Sequence, residues 1–240
     1  MKFPPFIRQG DTLGFVAPSF GCAIEPYRTA FNHSLQIWEK KGFKTKLGPN
    51  CYAGDGIGIS STPENCAEEF MSAYMDSGLS ALLSCGGGEL MCEVISHIDF
   101  CALANAKPKW FMGYSDNTNL TFLLTTLADT ATVYGPNAAS FGMEPWHESI
   151  EDAYCLLQGK QTMVHNYPLW EKESRKDEEH PLEPYYVTEP FTLRTRPQTE
   201  SLTMEGRLIG GCLDCLNNIV GTRFDKVSDS FVNKYKEDGF

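Results

Sequence analysis

Lys109-Trp-Phe-Met-Gly-Tyr-Ser-Asp-Asn-Thr-Asn119 is the stretch that decides how this chain is read. Trp110 to Met112 reads as a buried strand, Gly113 to Ser115 as a turn, and the run through Leu120-Thr-Phe-Leu-Leu-Thr-Thr-Leu127 as a helix. A strand that stops on a tight Gly-x-Ser turn and passes at once into a helix holds the serine hydroxyl at the carboxyl edge of a sheet. The helix's unbonded N–H groups then lie beneath it. That is a nucleophile's position. The turn is a variant of the nucleophile elbow, with Asn117 where the usual pattern has its second glycine. The same residues also allow a plainer role, in which Ser115 only caps a helix starting at Asp116.

Outward from this stretch the pattern alternates. Asp11 to Ser19 reads as a first strand, and Glu25 to Lys41 carries apolar residues at mostly helical spacing, with Gly42 as its C-cap. Phe43 to Leu47 is a second strand. Thr62-Pro63-Glu64 has the hydroxyl, proline and acid of a helix start, and that helix runs to about Asp76. Leu79 to Cys85 is a third strand, followed by Gly86-Gly87-Gly88 and a helix from Glu89 to about His97. Beyond the Ser115 helix come a short strand at Ala131 to Tyr134 and a helix near Ser149 to Leu157. Strands alternating with helices over short loops predict an α/β fold: a flavodoxin-like, mostly parallel sheet with helices on both faces.

Composition changes at Gly159. Residues 1–158 form the N-terminal α/β nucleophile domain, and 159–188, with the charge run Glu171 to Glu179, reads as a solvated linker. Residues 189–240 read as a partial, β-rich C-terminal domain, with strands expected at Tyr186 to Thr188, Phe191 to Thr195 and Ser201 to Arg207. A helical stretch follows within Ile209 to Gly221. A second domain of about 50 residues would be marginal on its own core.

The charge balance is 31 acidic against 20 basic residues in 240, a formal net charge of −11, with no dense basic block. Polyanion binding needs a basic footprint, so neither nucleic acid nor an anionic membrane is expected as partner. No signal-peptide h-region and no run of 18 apolar residues is visible. Nine cysteines, an odd number scattered through apolar runs, suit reduced thiols in a cytoplasm. Cys212-Leu-Asp-Cys215 is a lone CxxC, read as packing on one helix face or, without a second pair, as a weak metal or redox motif. No cofactor or metal is expected. A flavodoxin-like nucleotide binder using the Gly86 loop is disfavoured by the lack of a G-x-G-x-x-G or Walker pattern.

In an open parallel sheet, sites form outside the carboxyl ends of the strands. The Gly86-Gly87-Gly88 loop and the Tyr114-Ser115-Asp116 loop follow adjacent strands and should meet there. A glycine run brings backbone N–H groups close to a developing oxyanion, and the Asp116 amide, just after the nucleophile, is placed as a second donor. The glycines would equally serve a tight turn alone. A serine also needs a base. None of His33, His97, His147, His165 and His180 follows a strand end in a way that suggests one.

Gly10-Asp-Thr-Leu-Gly-Phe-Val-Ala-Pro-Ser19, the Gly86-Gly87-Gly88 turn, Gly113-Tyr-Ser-Asp-Asn-Thr118 and Glu205-Gly-Arg-Leu-Ile-Gly-Gly211, in this order and spacing, resemble the LD-carboxypeptidase family of serine peptidases. Tyr167-Pro-Leu-Trp170 makes the chain similar to the family's microcin C self-immunity branch. The resemblance implies Ser115 as nucleophile, Gly88 and Asp116 as oxyanion hole, and Gly86, Gly87 and Trp170 as substrate-binding residues, with Trp170 stacking on an aromatic or nucleobase group. It implies a carboxypeptidase or amidase acting on murein LD-peptides or on peptidyl-nucleotide antibiotics such as microcin C. Two departures stand out: Cys212 replaces the family's usual Asn after Gly-Gly, and no residue matches the triad Glu or His, neither Glu205 and Glu237 nor any histidine. The chain therefore reads as shortened, with peptidase activity expected to be lost or strongly impaired and with homodimers or other self-association expected. The alternative is a non-catalytic module that binds a peptide or nucleotide-like ligand.

Overall fold

The computed structural model describes residues 1–238 except 57, 197, 199, 200, 202 and 225–228. The chain opens with β1 (Thr12–Val16), α1 (Tyr27–Lys40), β2 (Lys44–Leu47), α2 (Pro63–Met75), β3 (Ala81–Ser84), α3 (Met91–Val94) and α4 (Phe100–Asn105). It continues with β4 (Trp110–Gly113), α5 (Thr118–Thr126), β5 (Val133–Tyr134) and α6 (Glu148–Leu157). The remainder holds β6 (Leu169–Glu171), β7 (Val187–Pro190), α7 (Leu213–Ile219) and α8 (Asp229–Tyr235).

β1 to β5 form one sheet in the order β2-β1-β3-β4-β5, every pair parallel. This is the flavodoxin-like order, whose switch point lies between β1 and β3. Strand side chains alternate between two cores, as a period of two requires. Leu13, Phe15, Ala81, Leu83, Trp110 and Met112 enter one core with Phe31, Trp38, Phe141 and Tyr154. Val16, Leu82 and Phe111 enter the other with Phe70, Tyr74, Leu120 and Leu123. The sheet is thus covered on both faces. Among the described residues, no helix is long and apolar enough to cross a membrane.

Local chemistry explains the main boundaries. The Thr62 hydroxyl accepts the Asn65 N–H and Pro63 follows it at the first helical position, so α2 starts where the sequence predicts. The buried carboxylate of Glu69, on α2, accepts N–H bonds from Ala17 at 2.8 Å and Asn50 at 2.9 Å, which fastens the segments leaving β1 and β2. The helix expected from Glu89 to His97 is instead a single turn, α3, followed by a 3-10 turn at Ile95–His97. α4 then starts afresh from an Asp99 cap on the Ala102 N–H.

Past residue 159 the structure meets expectation in part: β7 overlaps the strand expected at Tyr186 to Thr188, and α7 lies within the helical stretch expected at Ile209 to Gly221. β6 and β7 pair antiparallel as a two-stranded ribbon. Phe191 to Thr195 is no strand, although the bond from the Phe191 N–H to the Pro168 carbonyl at 2.9 Å continues the ribbon just beyond β7. The described residues from 201 to 207 are not a strand either, and Leu202 lies outside the described residues. Among the described residues no strand pairs with these segments, and strand propensity without a neighbouring strand does not make a ladder. α7 lies against α5, and α8 is fastened by Lys234 and Tyr235, which reach the Asp129 carboxylate at 2.6 and 2.7 Å.

Candidate active site

β4 ends at Gly113, and Ser115 follows in a 3-10 turn, Ser115–Asn117, that runs straight into α5. Ser115 has φ +62°, in the left-handed region that non-glycine residues rarely enter. No side-chain capping bond closes the start of this turn or of α5, so Ser115 does not act as a helix cap. Its N–H donates to the Tyr134 hydroxyl at 3.1 Å, and its carbonyl accepts from the Cys215 thiol at 3.5 Å.

The turn faces a cleft of about 420 Å3 at the carboxyl ends of β1, β3 and β4, lined by Gly86, Gly87, Gly88 and Ser115 together with Phe20, Tyr27 and Asn137. Gly87 lies directly across from the serine: a Cβ there would stand 3.1 Å from the Ser115 Cβ. Gly88 is pressed on its other side, where a Cβ would meet the Gly58 carbonyl at 2.1 Å. The Gly88 approach, against backbone, needs glycine, whereas a Cβ at Gly87 would need the serine to give by a few tenths of an ångström. The structure thus brings Gly86, Gly87, Gly88 and Ser115 to one cleft. The Asn117 N–H closes on the Tyr114 carbonyl, so the Asp116 N–H precedes the first closed turn, where a helix has no internal acceptor to offer it.

Asn117, the departure from the usual elbow, has a structural role. Its side-chain NH2 donates to the Gly86 carbonyl at 3.0 Å, the Tyr114 carbonyl at 3.1 Å and Asn137 Oδ1 at 3.2 Å, and the same Oδ1 accepts the Tyr114 N–H. One amide therefore ties the glycine loop to the serine turn. The Asp116 carboxylate does the same from below. Oδ2 accepts the Ser19 hydroxyl at 2.6 Å and the Met91 N–H at 3.0 Å, and Oδ1 accepts the Asn119 amide at 3.0 Å. Burial pushes this carboxyl above its ordinary pKa, against the lowering effect of those bonds.

The structure separates the other residues. Trp170 sits on β6, half exposed, and is not among the residues lining the cleft. The five histidines are engaged elsewhere: His33 with Gly142 and Glu144, His97 with Glu64, His147 with Ser149, His165 against the Tyr167 ring, and His180 with Asp177. None lines the cleft. Among the described residues, no group of three or more His, Cys, Asp or Glu side chains is placed to hold a metal ion. Tyr134, Asn137 and Ser19 escaped the sequence reading. Ser19 could have been found, because it lies at the carboxyl end of β1 beside the switch point.

Residues 13–135 match the LD-carboxypeptidase N-terminal domain. The chain belongs to the LD-carboxypeptidase family. Within that family it is similar to the microcin C7 self-immunity protein MccF of Escherichia coli, with 30% identity over 220 residues, covering 90% of this chain and 62% of the relative. It is also 26% identical, over 226 residues, to the probable murein peptide carboxypeptidase of Bacillus subtilis, covering 92% of this chain and 60% of that protein. The solved structure of a MccF variant in complex with adenosine monophosphate matches with a TM-score of 0.76 at 26% identity, over 92% of this chain and 66% of that one. MccF in complex with aspartyl sulfamoyl adenosine matches at 0.75 and 25% identity, with the same coverage. The chain thus spans about two thirds or less of the length of these LD-carboxypeptidase relatives.

Proposed function

We propose that this chain carries the nucleophile half of a serine-type carboxypeptidase or amidase of the LD-carboxypeptidase kind. The observation that carries the reading is Ser115 at φ +62°, held at a strand-to-helix turn across a cleft from Gly87. Ser115 attacks the scissile carbonyl, and the Gly88 and Asp116 amides receive the developing oxyanion. Gly86 and Gly87 shape the cleft floor. The substrate is a small peptide or a peptidyl-nucleotide of the microcin C kind, supported by the aspartyl sulfamoyl adenosine held by MccF. Trp170, with an indole face half open to solvent, stacks on its aromatic or nucleobase group. Nine free thiols support a cytoplasmic setting. Self-association is supported by an apolar groove of about 930 Å3 whose lining includes Phe3, Phe6, Phe122 and Tyr134.

A second reading is favoured by the histidines. No histidine lines the cleft to serve Ser115 as a base, and a serine without one keeps only what the oxyanion hole and binding supply. Turnover by the chain alone is therefore expected to be slight, and ligand binding without turnover is its residual activity.

Labelling with a fluorophosphonate separates the two. Adduct formation at Ser115, abolished in Ser115→Ala, supports an activated nucleophile. Adenosine monophosphate binding with no adduct supports the binding module.

A further inference from the structure

Cys212 and Cys215 have no part in the chemistry above, yet they touch its centre. Cys212 occupies the N-cap of α7 and Cys215 its third position, the spacing at which an N-cap side chain reaches the first turn. The Cys212 thiol is near enough to be among the neighbours that raise the Cys215 pKa, after burial. Both are half-buried, within reach of a small molecule, whereas Cys22, Cys51, Cys66 and Cys85 are buried. The pair lies against the serine turn. The Cys212 N–H donates to the Thr118 hydroxyl at 2.9 Å, and the Cys215 thiol donates to the Ser115 carbonyl at 3.5 Å. With the Tyr134 hydroxyl on the Ser115 N–H, the serine's backbone is held from both ends, one end by a thiol hydrogen.

We propose that Cys212 and Cys215 form a reversible dithiol–disulfide couple that sets how firmly the Ser115 turn is held. The first half is a modification site, and its effect on reactivity rests on Ser115 being the nucleophile. The oxidant is a small-molecule disulfide such as oxidised glutathione. Burial and the neighbouring Cys212 push the Cys215 thiol up to about 12, so Cys212 attacks first. The Cys212 thiolate forms a mixed disulfide and expels one glutathione thiolate, which takes up the Cys212 proton. Cys215 then attacks the Cys212 sulfur and expels the second, which takes up the Cys215 proton. The protein loses two hydrogens, and the oxidant is reduced to two thiols. Cys215 in the disulfide has no hydrogen left to donate, so the Ser115 carbonyl loses its partner.

The test is equilibration of the full chain in glutathione buffers of rising oxidised fraction, followed by peptide mapping and, in parallel, fluorophosphonate labelling. A disulfide within the Cys212 to Cys215 peptide is expected, together with a fall in the Ser115 labelling rate of about fivefold, the scale of one hydrogen bond lost. Cys212→Ser should label at the reduced rate in every buffer. Cys215→Ser, which keeps a donor, should do the same, and Cys215→Ala should label slowly even when reduced. Mixed disulfides on the exposed Cys92 and Cys101 with none linking Cys212 to Cys215 would overturn the couple. A mapped disulfide with unchanged labelling would overturn its hold on the turn. Reduced protein that takes no label at all counts against the nucleophile, and the mapped disulfide then decides the couple by itself.

Discussion

Two tryptophans show how differently the two ends of this chain are built. Trp38, on α1, is fully buried and packs against Phe43, Phe141 and Tyr154 with ring centroids 5.0 to 5.5 Å away. Trp170, on β6, is 49% exposed in a ribbon of two short strands. The first belongs to a sheet whose loops are cross-tied beneath the cleft by Glu69, Asp116 and Asn117. The second belongs to a segment in which Met163, Leu193, Met204 and Leu208 all face solvent. Local stability follows buried apolar contact, so chemistry that needs fixed geometry belongs to the first region and contacts that adjust to a ligand belong to the second.

The contrast can be broken by substitution. The largest effect is expected from Trp38→Ala, a loss of about 3–5 kcal/mol in denaturant unfolding, because the cavity would lie under three aromatic rings. Next comes Asp116→Ala, which strands the Ser19 hydroxyl, the Met91 N–H and the Asn119 amide, at a cost of about 3 kcal/mol by the same measurement. A smaller and more specific effect concerns pH. Burial raises the Glu69 and Asp116 carboxyls above their ordinary values, so the folded state binds these protons more tightly than the unfolded chain. Their stabilisation is full below the ordinary carboxylate range, around pH 4, and declines as pH climbs through the raised values. Glu69→Gln lacks that titration and should flatten the decline when unfolding free energy is followed against pH. Its absolute stability falls as well, because the new NH2 turns a donor toward a backbone donor. The smallest effect is expected from Trp170→Ala: within about 0.5 kcal/mol in stability, but with weaker adenosine monophosphate binding by calorimetry. A large loss of stability there would erase the distinction between the two regions.

The sheet was legible because its strands are short apolar runs between recognisable helix starts and stops, as at Thr62-Pro63 and Gly42. Ser115 was legible because Gly-x-Ser between a strand and a helix is a local signal. The ties that position it were not. Ser19 and Met91 meet Asp116 across 97 and 25 residues of sequence, and Tyr134 reaches the Ser115 N–H from the neighbouring strand; no periodicity encodes such meetings. Asn117 marks the turn as a variant of the elbow, but nothing in the sequence shows that its amide joins the two loops. The strand expected at Phe191 to Thr195 failed for the opposite reason: the residues favour extension, but pairing is decided by what lies alongside.

The backbone angle at Ser115 has one further consequence. Glycine adopts φ +62° without penalty, whereas a side chain there costs about 1 kcal/mol or more. Ser115→Gly should therefore melt at a higher temperature than the native chain while losing any phosphonate adduct. A costly backbone angle at a residue that faces the cleft supports the proposed role of Ser115 in reactivity.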